Sequence, residues 1–280
     1  MKYIEIKAPA KINIGLNIIN KRLDGYHNLY TLFYPIYDLY DTLKFTLSER
    51  FEFFCNDKNI PDDENNLVVK AKLLLEELTK KSLYVKIELE KVIPSQAGLG
   101  GGSSDAAATL ISLNELFRLN LKDDELNRIA LMLGSDVPFF IKAKPAIGKS
   151  RGEILEHIDL EINEYIVIVN PGINISTREA FANAKPVQKE LDFRKFIIAN
   201  KIDYNLLREI AFNDFEEFAF NKYPEIENIK KIFYESGALY ASMSGSGSTV
   251  FGIFSDEAVA KKSIQSFPKT HFCWISNPHY

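Results

Sequence analysis

The 280-residue sequence is poor in cysteine and carries no surplus of positive charge. Cys55 and Cys273 are too few for a disulfide framework and form no metal-binding pair, so a reducing cytoplasm is the expected compartment. The net charge of −4 gives no general attraction for nucleic acid or for an anionic membrane. Metal-ligand spacing is absent from all four histidines, which are His27, His157, His271 and His279.

Long hydrophobic runs are also missing. No apolar stretch approaches the roughly 20 residues that a bilayer-spanning helix requires, and residues 1–16 lack the continuous apolar core of a signal peptide. The composition is that of an ordinary globular protein, with 46% hydrophobic and 26% charged residues. The chain is long enough for one large or two ordinary domains. We therefore expect a cytoplasmic protein with no nucleic-acid partner and no membrane partner.

Hydrophobic periodicity predicts strands and helices in the first half of the chain. Residues 3–8 and 83–90 alternate between polar and apolar side chains, as strands with one buried face do. Between them, residues 67–78 carry a helical apolar stripe. A glycine-rich loop follows the second strand and leads into a predicted helix over roughly 103–118.

The second half of the chain has a different pattern. Residues 165–169 read as a buried strand, and an Asn-Pro-Gly turn ends it. The chain is then mostly helical to about Ser236, and a strand–helix–strand pattern follows, with a last strand near 271–276. The composition changes near residue 160, which predicts two domains, 1–160 and 161–280.

The strongest single feature is the glycine-rich loop between a predicted strand and a predicted helix. Its glycines let backbone amides approach a ligand without a Cβ in the way. The serines that follow open the helix, so unpaired N–H groups and the positive end of the helix dipole face the loop. Such a loop suits a di- or triphosphate. The predicted nucleotide-binding residues are Pro94, Ser95, Gln96, Ala97, Gly98, Leu99, Gly100, Gly101, Gly102, Ser103 and Ser104.

Other interpretations of this loop fit less well. A flexible linker is expected between domains, whereas these glycines stand between a strand and a helix. A Walker loop needs a lysine after the glycines, and none follows. A dinucleotide-binding turn needs a glycine where Ser103 stands. A protein-kinase loop needs the strings HRD and DFG, and the sequence contains neither.

Three motifs in order resemble those of the GHMP kinases. Residues 8–16 (APAKINIGL) resemble the first motif, the loop resembles the second, and residues 243–252 (MSGSGSTVFG) resemble the third. The resemblance implies an ATP- and Mg²⁺-dependent small-molecule kinase with an α+β fold. Its amino-terminal domain would contain a left-handed βαβ crossover, against the usual right-handed rule. A ferredoxin-like carboxy-terminal domain would follow, with substrate and ATP in the cleft between, and the third motif would fold back near the phosphate loop.

Further segments narrow the resemblance to one branch of that family. These are residues 22–31 (RLDGYHNLYT), 133–139 (LGSDVPF), 170–177 (NPGINIST) and 213–216 (NDFE). The branch phosphorylates the 2-hydroxyl of a cytidine-diphosphate-linked methylerythritol, in the non-mevalonate isoprenoid pathway. This small molecule is the partner that the resemblance implies, with the protein as a monomer or weak homodimer.

The resemblance also assigns the catalytic residues. Asp136, on a surface loop behind a helix stop, would be the base for the acceptor hydroxyl. Lys11 would hold Asp136 ionised and stabilise charge on the transferring group. From the residues alone, a turn-forming role is the favoured interpretation of Asp136, and the resemblance reverses it. A solvated strand residue is the second interpretation of Lys11. No dense acidic set marks a metal site, so phosphate oxygens and water would supply most of the Mg²⁺ shell.

Residues for the two ligands follow from the same resemblance. Tyr26 and His27 would face the cytidine end, with His27 hydrogen-bonding the base or ribose. Phe181, four positions after Thr177, would be a second wall that stacks on cytosine, opposite His27. Asn13 would contact the substrate. The residues that would border adenine are Asn66 and Leu67.

Two other functions stay open at this point. A homoserine- or mevalonate-type kinase would share the three motifs, but a small acceptor needs no walls for a nucleobase. A catalytically silent nucleotide sensor would share the fold, but it has no need of Lys11 and Asp136 together.

Overall fold

A computed structural model describes residues 3–186 and 192–278, so His279 lies outside the described residues. The chain divides into two units, and each unit is assembled from several stretches of sequence. The first unit consists of Met1–Ala10, Leu39–Ser95 and Gly100–Lys144. The second consists of Lys11–Asp38, Gln96–Leu99 and Pro145–Tyr280. The domain boundary near residue 160 stays a prediction.

Two long strands, β1 (Tyr3–Lys21) and β2 (His27–Leu47), pair with each other and supply residues to both units. In the first unit, β2 pairs antiparallel with β4 (Val85–Glu90), and β4 pairs parallel with β3 (Glu52–Cys55). The alternation predicted for 83–90 is confirmed, because every second side chain of β4 is buried.

Four helices complete the first unit: α1 (Leu67–Thr79), α2 (Gly101–Leu116), α3 (Asp123–Leu133) and α4 (Val137–Lys142). Both α1 and α4 pack on α2, whose small side chains Ala106, Ala107 and Ala108 are buried and allow close approach. The β3–α1–β4 segment is the parallel βαβ unit that the family resemblance implies, and its left hand stays a prediction.

Among its described residues, the second unit contributes to two sheets of more than two strands. In one, the first part of β2 pairs with β5 (Ala146–Lys149), which pairs with β6 (Ile154–His157). The other joins β7 (Tyr165–Asn170), β10 (Tyr240–Met243), β11 (Val250–Phe254) and β12 (Phe272–Ser276).

This second sheet is antiparallel, in the order β10-β11-β7-β12. Helix α8 (Pro224–Glu235) precedes β10, and α9 (Glu257–Ile264) connects β11 to β12. Strand order and connections are those of a βαββαβ ferredoxin-like domain, which confirms that expectation. Its core includes Val167, Phe233 and Phe254 together with Leu16 and Ile18 of β1.

The segment between β7 and α8 is mostly helical, as predicted. It contains α5 (Thr177–Asn183), a 3₁₀ turn (Phe193–Phe196), α6 (Tyr204–Ile210) and α7 (Glu216–Lys222). A hairpin of β8 (Ile197–Ile198) and β9 (Lys201–Ile202) interrupts the helices. The sequence did not predict this hairpin, because two-residue strands are too short to show an alternating pattern. Residues 187–191 of the predicted helical region lie outside the described residues. None of the described helices has the length and apolarity to cross a bilayer.

Candidate active site

The predicted phosphate loop joins β4 to α2 through left-handed backbone at three residues: Gln96 (φ 53), Gly98 (φ 77) and Gly100 (φ 73). Gly100 is the residue before α2, so the unpaired N–H groups of the first helical turn face the loop. Ser95 and Gln96 are exposed, whereas Ala97 and Leu99 are buried and anchor the loop. The loop therefore leads into a helix start with unpaired N–H groups, as the sequence predicts, and binding of phosphate there stays a prediction.

The helix begins two residues earlier than predicted. Gly101, Gly102, Ser103 and Ser104 form its first turn, so the two glycines do not need the left-handed backbone of the loop. Gly101 instead needs space, since a Cβ there would lie 3.0 Å from Cγ2 of Ile93. Gly102 is exposed, and a Cβ there would meet only the Leu67 side chain, at 3.7 Å.

The third glycine-rich segment contacts the loop inside the second unit. We name residues 243–249 the glycine turn. The Ser244 hydroxyl donates to the carbonyl oxygen of Gly98 at 2.9 Å, and the Thr249 N–H donates to that of Ala97 at 3.3 Å. A Cβ on Gly98 would lie 2.1 Å from the Ser244 carbonyl oxygen. The expectation that the third motif folds back near the loop is confirmed.

Lys11 lies in β1 and is only 3% exposed, so its interpretation as a solvated strand residue is wrong. Its Nζ donates to Oδ1 of Asn13 at 2.6 Å and to the Gly98 carbonyl at 2.9 Å. Its backbone N–H donates to the Leu99 carbonyl at 2.9 Å. A buried ammonium needs such oxygen partners. The charge of Lys11 is therefore held against the phosphate loop.

Asn13 orients Lys11. It is 2% exposed, and its Nδ2 donates to the Thr31 hydroxyl at 3.0 Å while its Oδ1 accepts from Lys11. Its backbone N–H donates to the Ser244 hydroxyl at 3.2 Å. Both ends of the amide thus have partners inside the second unit, and contact of Asn13 with substrate stays a prediction.

Asp136 belongs to the first unit. The sequence predicts a surface loop here, but Asp136 is half-buried and directly precedes the short helix α4. Pro138 is in the first turn of that helix, where a missing N–H costs no helical hydrogen bond. The predicted partnership of Asp136 with Lys11 stays a prediction.

The two aromatic residues predicted for the cytidine end lie together. The rings of His27 and Phe181 stack with centroids 5.0 Å apart and an interplanar angle of 15°. That spacing is direct ring contact, so no base fits between them. The prediction that they form opposite sides of a cytosine pocket is wrong, and they form one aromatic face, which Phe215 supports edge-on at 4.8 Å. Burial, together with nearby Lys21, lowers the pKa of His27, so the ring is neutral at pH 7.

Tyr26 and Thr177 are both exposed beside other polar groups of the second unit. The Arg151 guanidinium lies over the Tyr26 ring, 4.6 Å from its centre. The Thr177 hydroxyl lies 3.2 Å from that of Ser246 in the glycine turn. Sequence reasoning missed Arg151 and Ser246, and only the position of Ser246 within the third motif could have indicated it.

The residues predicted to border adenine lie at the start of α1. Asn66 caps the helix, because its Oδ1 accepts the N–H of Val68 at 2.8 Å. Its Nδ2 donates to the Pro61 carbonyl at 2.8 Å. Leu67 is the first residue of the helix. The capping role accounts for Asn66, and contact of either residue with adenine stays a prediction.

Sequence reasoning missed a buried ionic cluster in the first unit, which joins β2, the residue after β4 and the first part of α2. The Lys91 ammonium lies between two carboxylates, pairing with Asp41 and, at 2.8 Å, with Asp105. Asp41 also accepts the N–H groups of Val92 and Ile93, at 2.6 and 2.9 Å. Burial raises the pKa of Asp105 to about 8, against the attraction of Lys91. Asp105 therefore holds a proton at neutral pH.

Within residues 3–186 and 192–278, no group of three or more His, Cys, Asp or Glu side chains is arranged to hold a metal ion.

Comparison with known proteins gives consistent matches over the whole chain. Residues 66–144 match the family of the GHMP kinases N terminal domain, and residues 195–271 match GHMP kinases C terminal. A 4-diphosphocytidyl-2-C-methyl-D-erythritol kinase from Bacteroides fragilis is 47% identical over 254 residues, covering 89% of this chain and 91% of the relative. One from Chlorobium phaeobacteroides is 42% identical over 277 residues, covering 97% and 96%.

Solved structures agree with these matches. The crystal structure of a 4-(cytidine 5'-diphospho)-2C-methyl-D-erythritol kinase has a TM-score of 0.82 at 31% identity, covering 97% of this chain and 98% of that one. A homoserine kinase from Cytophaga hutchinsonii has a TM-score of 0.73 at 20% identity, covering 99% and 95%, which is a likeness of fold alone.

Proposed function

The chain belongs to the GHMP kinases and, within them, to the 4-diphosphocytidyl-2-C-methyl-D-erythritol kinases, and from this premise we propose how its residues carry out the reaction. The protein is an ATP-dependent small-molecule kinase. The transfer moves the γ-phosphoryl group of ATP to the 2-hydroxyl of the cytidyl substrate. Such transfer passes through a loose transition state, so positioning and charge stabilisation matter more than covalent chemistry.

The phosphate loop binds ATP through its backbone. The N–H groups at the start of α2 meet the phosphates, and Gly98 and Gly100 supply the left-handed backbone that aims them. Mg²⁺ would travel with the nucleotide, with its shell supplied by phosphate oxygens and water and its position set by the loop through the phosphates. The ion supplies charge neutralisation at the phosphates.

Asp136 accepts the proton of the acceptor hydroxyl as its oxygen bonds to phosphorus and ADP leaves. Lys11 stabilises charge that builds on the transferring group. The observation that carries this role is the burial of the Lys11 ammonium, with one of its bonds to the Gly98 carbonyl of the loop itself. A buried strand position that has no functional need for a charge normally holds an apolar residue.

The stacked His27 and Phe181 rings form the wall on which cytosine lies, with Tyr26 and Thr177 at its exposed border. Because His27 already covers one face of Phe181, the base stacks on the outer face of the pair rather than between the rings. The neutral imidazole keeps one N–H donor and one acceptor for the base edge or ribose.

We also infer that the enzyme works in the cytoplasm, as a monomer or weak homodimer. Analytical sedimentation would measure the oligomeric state.

A panel of acceptors tests the substrate. ATP turnover is measured with the cytidyl compound, methylerythritol phosphate, homoserine and mevalonate, and only the first should be used well. Phe181→Ala should raise KM for the cytidyl compound about tenfold to a hundredfold, since base stacking is worth about 1–3 kcal/mol. Phe218→Ala, which alters the same hydrophobic core, is the control. Equal use of the truncated acceptors would refute the cytidine site and leave the kinase assignment standing.

A further inference from the structure

The N-D-F-E segment, residues 213–216, has no part in the reaction described above, yet three of its four residues are buried. Asn213 is 3% exposed and Glu216 is 8% exposed. Buried polar side chains are costly unless each is hydrogen-bonded, so their partners indicate what the segment does. All of the partners named below belong to the second unit.

Asn213 hydrogen-bonds to the backbone of the glycine turn. Its Nδ2 donates both hydrogens, one to the Met243 carbonyl at 2.7 Å and one to the Gly245 carbonyl at 2.8 Å. Its Oδ1 accepts the N–H of Phe215 at 3.0 Å, which fixes the orientation of the amide. The two carbonyls flank Ser244, so a single side chain sets the backbone on both sides of that residue.

The two acidic residues of the segment, Asp214 and Glu216, anchor it to two different strands. Asp214 accepts the N–H of Ile18 in β1 at 2.7 Å. Glu216 accepts the N–H of Met243 at 2.9 Å and the Ser242 hydroxyl at 3.1 Å. The segment is therefore tied both to the strand that carries Lys11 and to the strand that leads into the glycine turn.

The glycine turn passes this constraint to the phosphate loop. Ser244, between the two carbonyls held by Asn213, donates its hydroxyl to the Gly98 carbonyl. The same carbonyl accepts from Lys11, and the Ser244 hydroxyl accepts the N–H of Asn13. The position of Gly98 thus depends on a chain of contacts that begins at Asn213.

We propose that Asn213 is a positioning residue for ATP binding, which acts through the glycine turn and Ser244 on the phosphate loop. At 3% exposure, and with its amide bonded to protein backbone at both ends, it acts without touching either ligand. The inference rests on the proposed function only in that the loop binds ATP. Asparagine is required because it alone at this size donates two hydrogens to carbonyls while accepting one from the backbone.

Asn213→Asp tests the proposal, because aspartate has the same shape and keeps the acceptor for Phe215. At pH 8 its carboxylate faces two carbonyl oxygens, so calorimetry should find ATP binding weakened about tenfold. At pH 6 a protonated carboxyl can donate to one carbonyl, so affinity should partly recover. Wild-type affinity should show no such recovery.

A matched control is Asn114→Asp, since the Asn114 amide also donates to a backbone carbonyl, that of Leu121 at 3.0 Å, at the far end of α2. It should lower the melting temperature and leave ATP affinity within about twofold. The same result for Asn213→Asp would make Asn213 merely structural and overturn the proposal. Calorimetry needs no acceptor, so an error in the cytidyl assignment does not affect this test.

Ser244→Ala covers the case in which Asn213→Asp does not fold. It removes the hydroxyl bond to Gly98 and leaves both bonds of Asn213 in place. Weaker ATP binding supports the proposal, and unchanged binding overturns it. Where all variants fold, the double variant should bind ATP no more weakly than the worse single variant, because the two residues act in series. Additive losses would contradict the proposed route.

Discussion

At the scale of single residues, the burial of Lys11 most constrains the chemistry. An ammonium at 3% exposure is held by two oxygens, one from Asn13 and one from the loop carbonyl of Gly98. The sequence could predict that Lys11 matters, because a charge stood among apolar strand residues. It could not predict the partners, since Gly98 is 87 residues away and no spacing rule joins them.

Asp136→Asn should lower kcat by about 10²–10⁴-fold, the usual loss when a positioned base is removed. Calorimetric ATP affinity should stay near that of the wild type, because Asp136 lies outside the phosphate loop. Asp124→Asn, an exposed change in the first turn of α3, is the control and should leave kcat unaltered. A near-normal kcat for Asp136→Asn would remove Asp136 from the mechanism.

At the scale of elements, the four glycines of the loop and of the first turn of α2 have two different backbone conformations. Gly98 and Gly100 supply left-handed backbone, whereas Gly101 and Gly102 are helical. The motif correctly predicted a glycine-rich loop between a strand and a helix, but it placed the start of the helix at Ser103. Helix ends are set by hydrogen bonds that a run of glycines does not reveal, because glycine is compatible with both states.

Gly98→Ala and Gly237→Ala form a matched pair, since both residues have left-handed backbone. The new Cβ at 98 would lie 2.1 Å from a backbone oxygen in a left-handed region, so the loop must move. ATP affinity should fall at least about tenfold, as expected when backbone donors shift away from phosphate. Gly237→Ala imposes the same left-handed strain away from the loop, its Cβ would meet nothing closer than 3.9 Å, and it should lower stability but leave ATP affinity unchanged. Equal effects of the two changes would place the phosphate site elsewhere.

The buried ionic cluster gives a stability that depends on pH. The pKa of Asp105 rises from an ordinary value near 4 in the unfolded chain to about 8 in the fold. The folded state therefore holds a proton that the unfolded state loses, and this contribution to stability declines as pH rises from about 4 to about 8. Above that window it stays constant. Lys91 and Asp41 are the charged groups that face the carboxyl.

Asp105→Asn imitates the protonated carboxyl at every pH. Relative to the wild type, its free energy of unfolding should therefore rise by about 1–3 kcal/mol between pH 5.5 and pH 8.5. Urea unfolding of both proteins at the two pH values measures the difference, in which other titrating groups cancel. A constant difference would mean that Asp105 is ionised throughout. The sequence held no signal for this cluster, since Asp41 and Lys91 are 50 residues apart.

At the scale of the whole molecule, local elements could be predicted from the sequence, whereas the assembly of distant stretches into each unit could not. The longer helices and strands and the three motifs were predictable, because each depends on local pattern, and the ferredoxin-like sheet was implied by the family resemblance. The assembly of each unit from separate stretches was not, because it depends on long strands that contribute to both. Leu16 of β1, for example, belongs to the same core as Phe215 and Val167.

The predicted carboxy-terminal domain, residues 161–280, should not unfold cooperatively as an isolated fragment. It lacks Leu16 and Ile18, whose removal from a core costs about 2–5 kcal/mol each, against a total stability of about 5–15 kcal/mol. Thermal melting followed by circular dichroism measures this. A fragment that carries residues 11–21 ahead of it on a flexible linker should regain a transition. A cooperative melt of 161–280 alone, near that of the full chain, would contradict the expectation.

The glycine turn also determines when, during translation, the phosphate loop gains its hydrogen-bond partners. Asn13 and Ser244 are 231 residues apart, and Gly98 and Ser244 are 146 apart. A ribosome adds about 5–20 residues per second, so on the order of ten to fifty seconds separate the synthesis of Asn13 from that of its partner. From the synthesis of Gly98 to that of Ser244, 146 residues later, the phosphate loop exists without the serine that bonds to Gly98. The nascent chain therefore acquires its nucleotide affinity late, when almost all of it has been translated.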